Sequence, residues 1–220
     1  MKITCISDLH GFLPTLPGGD LLIVAGDLTA RDRIDQYLVF NEWLSRQEYE
    51  RKIVIAGNHD GLCEQGVPLQ EKGRILSIVP VLADKAVYLF DSAHEYNGLK
   101  IWGSPWTPTF FNWHFMKDRG KDIKEKWDLI PDDTEILVTH GPAYGIQDQV
   151  EYSHNAKKGN SAGCEELRVT LDRLRKLKLH VFGHVHEGYG MMKVNGVIHV
   201  NASIMDQDYR PVNKPITVEL

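Results

Sequence analysis

Five short apolar runs in this chain stop abruptly at side chains that can bind a proton or a metal ion. They are KITCIS before Asp8, LLIVAG before Asp27, KIVIAG before Asn58, ILVT before His140 and HVFG before His184. Runs this short and this rich in β-branched residues read as strands buried on both faces. Helical patterns lie between some of them. Ile34–Glu50 carries Ile34, Tyr37, Leu38, Phe40 and Leu44 at helical spacing, and Cys164–Lys178 carries Leu167, Leu171, Leu174 and Leu177, with Ser161 as its cap region. Asn97-Gly98 and Asn195-Gly196 each separate two strand-like runs, as a type I′ hairpin turn requires. The expected class is α/β, as one domain over residues 1–220. The polar stretch Met116–Asp128 is expected to be a surface excursion.

Side chains that follow parallel strands of an α/β sheet converge on one crevice. Taken alone, each ending is weak. DLH at Asp8–His10 reads equally as a turn, and GNHD at Gly57–Asp60 as a loop of turn formers. Together, Asp8, His10, Asp27, Asn58, His140, His184 and His186 supply seven nitrogen or oxygen donors. That is too many for one four-coordinate ion, and about right for two ions that share a carboxylate. The shared carboxylate offsets the repulsion of two cations ~3.5–4 Å apart. A donor set of imidazole, carboxylate and amide oxygen, without thiolate, suits Mn²⁺, Fe, Co²⁺, Ni²⁺ or Zn²⁺. His184 and His186 are two residues apart, and on a strand such residues share a face. Spacing alone would therefore place both on the same ion.

Charge and cysteine content narrow the partners. The net charge of −5 argues against sequence-independent binding of long nucleic acid, which needs a broad basic surface. It leaves small nucleotides open, because metal ions can supply local positive charge. Cys5, Cys63 and Cys164 have no zinc-site spacing and read as free thiols of a reducing compartment. No signal sequence or membrane-length apolar run is visible, so a cytoplasmic protein is expected.

The ordered set DLH, GD, GNHD, THGP and GHVH resembles the calcineurin-like metallophosphoesterase superfamily, in order and spacing, from Asp8 to His186. WGSPWTP, EKWDLIP, HVFGHVHEGYG and VNAS further resemble its metallophosphoesterase-domain-containing (MPPED) subgroup. The resemblance implies a four-layer α/β/β/α sandwich of two mixed sheets with flanking helices. It assigns Asp8, His10 and His186 to a first metal, Asn58, His140 and His184 to a second, and Asp27 to a bridge. Manganese is the first choice of metal. Some members of the subgroup carry Gly at the position of His184; this chain keeps all seven ligands.

The implied reaction is attack of hydroxide, made available by the two ions, on the phosphorus of a small phosphodiester, with cyclic nucleotides among the candidates. The alternatives are a phosphomonoesterase or phosphoprotein phosphatase, and a weakly active regulatory scaffold of the same fold. His59 matches the family histidine that contacts phosphate and protonates the leaving oxygen. The Asp that follows the bridging Asp by three residues in Ser/Thr protein phosphatases is Ala30 here. The partner of His59 is therefore open between Asp60, Asp32 and a main-chain carbonyl. Arg31 falls where those phosphatases bind phosphate, and reads equally as a solvated loop residue. Trp102–Phe115, dense in aromatics, is either a small core of its own or a wall for a nucleobase, and His114 within it is ambiguous. His94, His154, His180 and His199 match no ligand position.

Overall fold

The structure, a computed structural model, describes residues 1–65, 68–71, 74–77, 82, 86–150 and 160–220; His154 lies outside them. Two mixed sheets form the frame. The first has the order β17 (Ile216–Glu219), β1 (Lys2–Ile6), β2 (Leu21–Ala25), β3 (Arg51–Ile55), β6 (Val87–Tyr88), parallel except for β17. The second has the order β15 (Gly190–Val194), β16 (Val197–Asn201), β14 (Leu179–Phe182), β11 (Ile136–Thr139), β8 (Leu99–Ser104), β7 (Ser92–Tyr96). Its four central strands are parallel, and the two edge strands close antiparallel hairpins. Those hairpins turn at Asn97-Gly98 (φ 50° and 72°) and Asn195-Gly196 (φ 50° and 88°), the positive pairs a type I′ turn needs. Three short ribbons complete the described strands: β4 (Pro68–Glu71) with β5 (Arg74–Ser77), β9 (Thr107–Pro108) with β10 (Met116–Lys117), and β12 (Gln149–Val150) with β13 (Asn160–Ser161).

The strand period of two explains why the core runs are continuous. Ile3, Cys5, Ile23, Ile53 and Ile55 point toward the second sheet and meet Ile101, Ile136, Val138, Leu179, Val181 and Val200. Their neighbours Ile6, Leu22, Val24 and Val54 point the other way and cluster with Tyr37, Phe40 and Leu44 of the helix Ile34–Ser45. On the far side, Trp102, Leu137 and Phe182 join Ile123, Trp127, Leu167 and Leu171 from the helices Lys121–Trp127 and Glu165–Arg173. Helix, sheet, sheet and helix thus make four layers. Each fully buried Leu, Ile or Phe contributes roughly 1.5–3 kcal/mol.

Three local expectations need correction. The first helix stops at Ser45 rather than Glu50, because the Ser45 hydroxyl donates to the Glu42 carbonyl (2.7 Å) and no apolar residue continues the stripe. The later helix begins at Glu165, capped by Cys164, whose Sγ accepts from Leu167 N; Ser161 belongs to β13. It ends at Arg173, although Leu174 and Leu177 still enter the core. Met116–Asp128 is not a free excursion: β10 pairs with β9, and the helix Lys121–Trp127 buries Ile123 and Trp127. The three cysteines are free and buried. Among the described residues, no helix is long and apolar enough to cross a membrane.

Candidate metal centre

The residues that follow five parallel strands enter one cluster. Asp8 lies beyond β1, Asp27 beyond β2, Asn58 beyond β3, His140 beyond β11, and His184 and His186 beyond β14. The sheets are stitched together at this edge. Ser7 pairs with Ser203 as a bridge, and the Ser7 hydroxyl donates to the Ala25 carbonyl (3.0 Å). Asp8, His10, Asp27 and His184 have φ of 52°, 42°, 52° and 69°. Such left-handed backbone is uncommon outside glycine and gathers at functional sites. It also ends the two-residue alternation of the strand. His184 therefore lies beside His140 (ring centroids 5.0 Å), whereas His186 lies beside His10 (5.4 Å). The shared face that spacing alone suggests for the pair is not formed.

Close approach accounts for two of the motif glycines. A Cβ on Gly57 would stand 2.3 Å from Asp27 Oδ1, and one on Gly183 would stand 1.9 Å from Asp8 Oδ2. Only hydrogen fits between these loops and the carboxylates.

Among the described residues the His and carboxylate donors form three overlapping sets, two of them without His59. Donor atoms of Asp8, His10 and His186 lie within 4.8 Å of one another, and so do those of Asp8, Asp27 and His140. His140 Nε2 is 3.0 Å from Asn58 Oδ1 and 3.4 Å from Asp27 Oδ1. The other oxygen of Asp27 is 3.7 Å from His10 Nε2. Asp27 thus faces both sets, one oxygen to each. Asp8 is held by the His184 N–H (3.0 Å to each oxygen) and by the Ser203 hydroxyl (2.7 Å).

The electrostatics favour cations at these positions. His140 Nδ1 donates to the Ala25 carbonyl and His186 Nδ1 to the Asp206 carbonyl, both at 2.9 Å. These bonds leave each Nε2 facing oxygens that only accept, including Asp8 Oδ1 at 3.4 Å from His186. Burial works against charge on both rings. The Asp27 and Asp8 carboxylates outweigh it and raise His140 to about 9; Asp8 does the same for His186, also to about 9. Burial also pushes Asp8 and Asp27 upward, yet His186 and His140 respectively hold them well below the usual carboxylate range. Burial lowers His10 to about 4 and His184 to about 3, and His10 Nε2 is buried without a hydrogen-bond partner. A divalent ion would satisfy the same oxygens and leave the rings neutral, so the residues present fit a pair of such ions.

His59 reaches the same space: its donor atom lies within 4.8 Å of those of His10 and Asp27. Its ring stacks on Trp113 (4.3 Å, 29°) and meets His10 edge-on (4.6 Å, 85°). Two of the open partners for it are otherwise engaged. Asp60 accepts the N–H groups of Leu28, Thr29 and Gly57 (3.0, 3.1 and 2.9 Å) and ties together the loops that carry Asp27 and Asn58. Asp32 Oδ1 accepts from Tyr37 Oη and Leu62 N.

A cavity of about 420 Å³ opens over the cluster, lined by Asp27, Asn58, His59, Phe110, Trp113 and His184 among others. The aromatic segment divides between its two readings. Trp102, Trp106 and Phe115 are buried, the last two against Phe90, whereas Phe110, Phe111 and Trp113 are exposed and line the cavity. His114 pairs with Glu64 (3.2 Å) and packs on Gly61. Arg31 is exposed and is not among the described lining residues. His180 and His199 pair with each other inside the second sheet (3.3 Å), and His94 sits on its edge strand β7.

Sequence reasoning missed Ser203 and Asp206, which orient Asp8 and His186, and the lining residues Tyr209 and Arg119. VNAS did flag Ser203 as part of a familiar stretch, without a role. Arg119 is engaged by the Gly163 and Ala162 carbonyls (2.7 and 2.9 Å) and by Glu165.

Comparison with known proteins identifies the family and the fold. A family model described as calcineurin-like phosphoesterase matches residues 1–188. Human metallophosphoesterase domain-containing protein 1 is 40% identical over 235 residues, covering 100% of this chain and 71% of that protein. A UPF0046 protein of Caenorhabditis elegans is 35% identical, covering 100% of this chain and 81% of its own length. Among solved structures, phosphopantetheinyl hydrolase from Mycobacterium tuberculosis shares the fold with a TM-score of 0.59 at 16% identity, over 94% of this chain and 90% of that one. The chain belongs to the calcineurin-like phosphoesterase family of metal-dependent phosphoester hydrolases, on the metallophosphoesterase-domain-containing branch.

Proposed function

We propose that the chain is a dinuclear-metal phosphodiesterase acting on small phosphodiesters, nucleotides and cyclic nucleotides among them. Asp8, His10 and His186 would hold the first ion, Asn58, His140 and His184 the second, and Asp27 would serve both. The observation that carries this reading is Asp27 itself, with Oδ1 turned to His140 and Oδ2 to His10. Manganese is the first candidate for both ions. Bound there, two divalent ions offset the charge of the phosphoryl oxygens and make water acidic enough to attack near neutral pH.

The chain's own residues do the rest. The Ala25 and Asp206 carbonyls fix the His140 and His186 tautomers, so that both Nε2 atoms stay available. His59 protonates the leaving oxygen, a contribution of roughly 10²–10⁴-fold. The stack on Trp113 keeps its ring at the cavity wall. Hydrolysis of a diester breaks one P–O bond, and the departing alkoxide oxygen takes up that proton and leaves as an alcohol while the monoester remains. Phe110, Phe111 and Trp113 offer flat apolar surface to its organic substituents.

The test is to strip the protein with chelator, restore single metals, and assay bis(4-nitrophenyl) phosphate, 4-nitrophenyl phosphate, and 2′,3′- and 3′,5′-cyclic nucleotides. Metal-dependent turnover of diesters above the monoester supports the reading. A strong monoester preference replaces it with a phosphomonoesterase. No turnover with any metal removes both.

A further inference from the structure

One wall of the cavity comes from a segment outside every metal-binding motif. Tyr209 lies in MDQDYRP, between β16 and β17. Its ring stands edge-on to His10 and His186, with centroids 4.9 and 5.1 Å away at 70° and 76°. It lies 6.5 Å from the ring of His59, lines the cavity, and is 56% exposed. The ring surface not spent on histidines is therefore open to a ligand.

The backbone holding this ring is unusual. Tyr209 has φ 58°, where a bulky side chain is rare and glycine would be free of strain. The turn is built to keep it there. The Asp206 carboxylate accepts the N–H groups of Asp208 and Arg210 (3.0 and 2.9 Å) and Arg210 Nε (2.8 Å). The Asp206 N–H donates to the Arg210 carbonyl (3.0 Å), and the Tyr209 N–H donates to the Asp206 carbonyl (2.9 Å). That same carbonyl accepts from His186 Nδ1. One main-chain oxygen thus fixes both a candidate metal ligand and the ring beside it. A segment that only joined two strands would gain nothing from an aromatic residue in this conformation.

We propose that Tyr209 is a substrate-contacting specificity residue whose ring bears on a flat ester group, aryl or nucleobase, of a phosphoester held at the metal centre. The proposal rests on the phosphodiesterase reading. Trp113 and Tyr209 both stand near His59, at 4.3 and 6.5 Å between ring centroids, so a flat group against Tyr209 lies close to the proton donor. Aromatic contact of this kind changes affinity by about 5- to 150-fold.

The experiment uses calorimetry on the metal-loaded protein, with phenyl phosphate and inorganic phosphate as paired probes. Wild type is compared with Tyr209→Leu and Tyr209→Phe, with metal content and thermal unfolding measured on each. Tyr209→Leu should weaken phenyl phosphate at least 5-fold and leave phosphate affinity and metal content unchanged. Tyr209→Phe should retain both affinities. Equal weakening of the two probes, or loss of metal, overturns the proposal, because the ring would then act through the histidines. Unchanged phenyl phosphate affinity also overturns it, and so does failure of Tyr209→Phe to bind as wild type does. Should Tyr209→Leu not fold, Tyr209→Gly removes the ring while suiting the left-handed backbone, and the same expectations apply. Failure of the phosphodiesterase reading shows separately, as a wild type that binds both probes yet turns over no diester.

Discussion

Gly183→Ala tests the centre through a single added methyl group. The new Cβ would stand 1.9 Å from Asp8 Oδ2, 2.2 Å from Ser7 Oγ and 2.7 Å from Ser7 Cβ, all well inside contact distance. Gly183 is not among the positive-φ glycines, so the backbone itself tolerates alanine. The cost falls on Asp8. Its carboxylate must move away from the His184 N–H and the Ser203 hydroxyl, which now hold it at 3.0 and 2.7 Å. Hydrogen bonds to a charged group contribute roughly 1.5–3 kcal/mol each, so losing two gives a total of about 3–6 kcal/mol. At about 2–4 °C per kcal/mol for a chain of this size, the metal-free protein should melt roughly 6–24 °C lower. The ion proposed for Asp8, His10 and His186 should bind at least about tenfold more weakly. Differential scanning calorimetry with chelator and a metal titration of the same sample read the two effects. A variant that melts with wild type and keeps two ions at wild-type affinity would falsify the close approach on which this placement of Asp8 depends.

Other outcomes follow from the same geometry. His184→Gly should weaken the ion shared with Asn58 and His140 by about tenfold or more and spare most of the affinity for the other; two unaltered sites by calorimetry refute the division of ligands. Trp113→Ala should raise KM for a cyclic nucleotide by about 5-fold or more, and an unchanged KM removes Trp113 from the substrate wall. Trp127→Ala should lower stability by about 3–5 kcal/mol in denaturant titrations, because Trp127 is only 1% exposed and anchors one outer helix layer; a loss under 1 kcal/mol contradicts that packing. Burial, helped by the charge of Arg168, depresses His199 from 6.5 to about 4, so the unfolded chain binds the extra proton between those values. Stability should then be complete above pH 6.5 and fall by about 3 kcal/mol as pH drops toward 4, and His199→Gln should flatten that fall relative to wild type.

What the sequence made legible is what is local. LLIVA is apolar without a break because both faces of that strand are covered, one by the partner sheet and one by helices or loops. The metal-capable residue sits one to three positions past each strand, and chain order alone brings such ends to one edge. What it hid is carried by distant contacts or by a change of backbone region. The helix Lys121–Trp127 was obscured because only Ile123 and Trp127, one turn apart, mark its buried face amid lysines and acids. The parting of His184 from His186 depends on φ 69° at His184, which spacing cannot express.

The supports of the centre show the same limit more sharply. Ser203 reaches Asp8 across 195 residues, and the Asp206 carbonyl reaches His186 across 20. Neither contact has a motif of its own, because a main-chain oxygen can come from any residue, and a hydroxyl from a Ser, Thr or Tyr at any point of the chain that the fold brings near. The ligands must be particular residue types, since few side chains carry a donor such as carboxylate, imidazole or amide oxygen that suits these ions. The residues that aim them are constrained by place rather than by type. Substitution of the ligands should therefore remove an ion, whereas substitution of Ser203 should keep both ions and shift their affinity and the orientation of Asp8. Ser203→Ala, with two ions still bound but the first more weakly held, is the result this distinction requires. Loss of that ion altogether would place Ser203 among the ligands themselves.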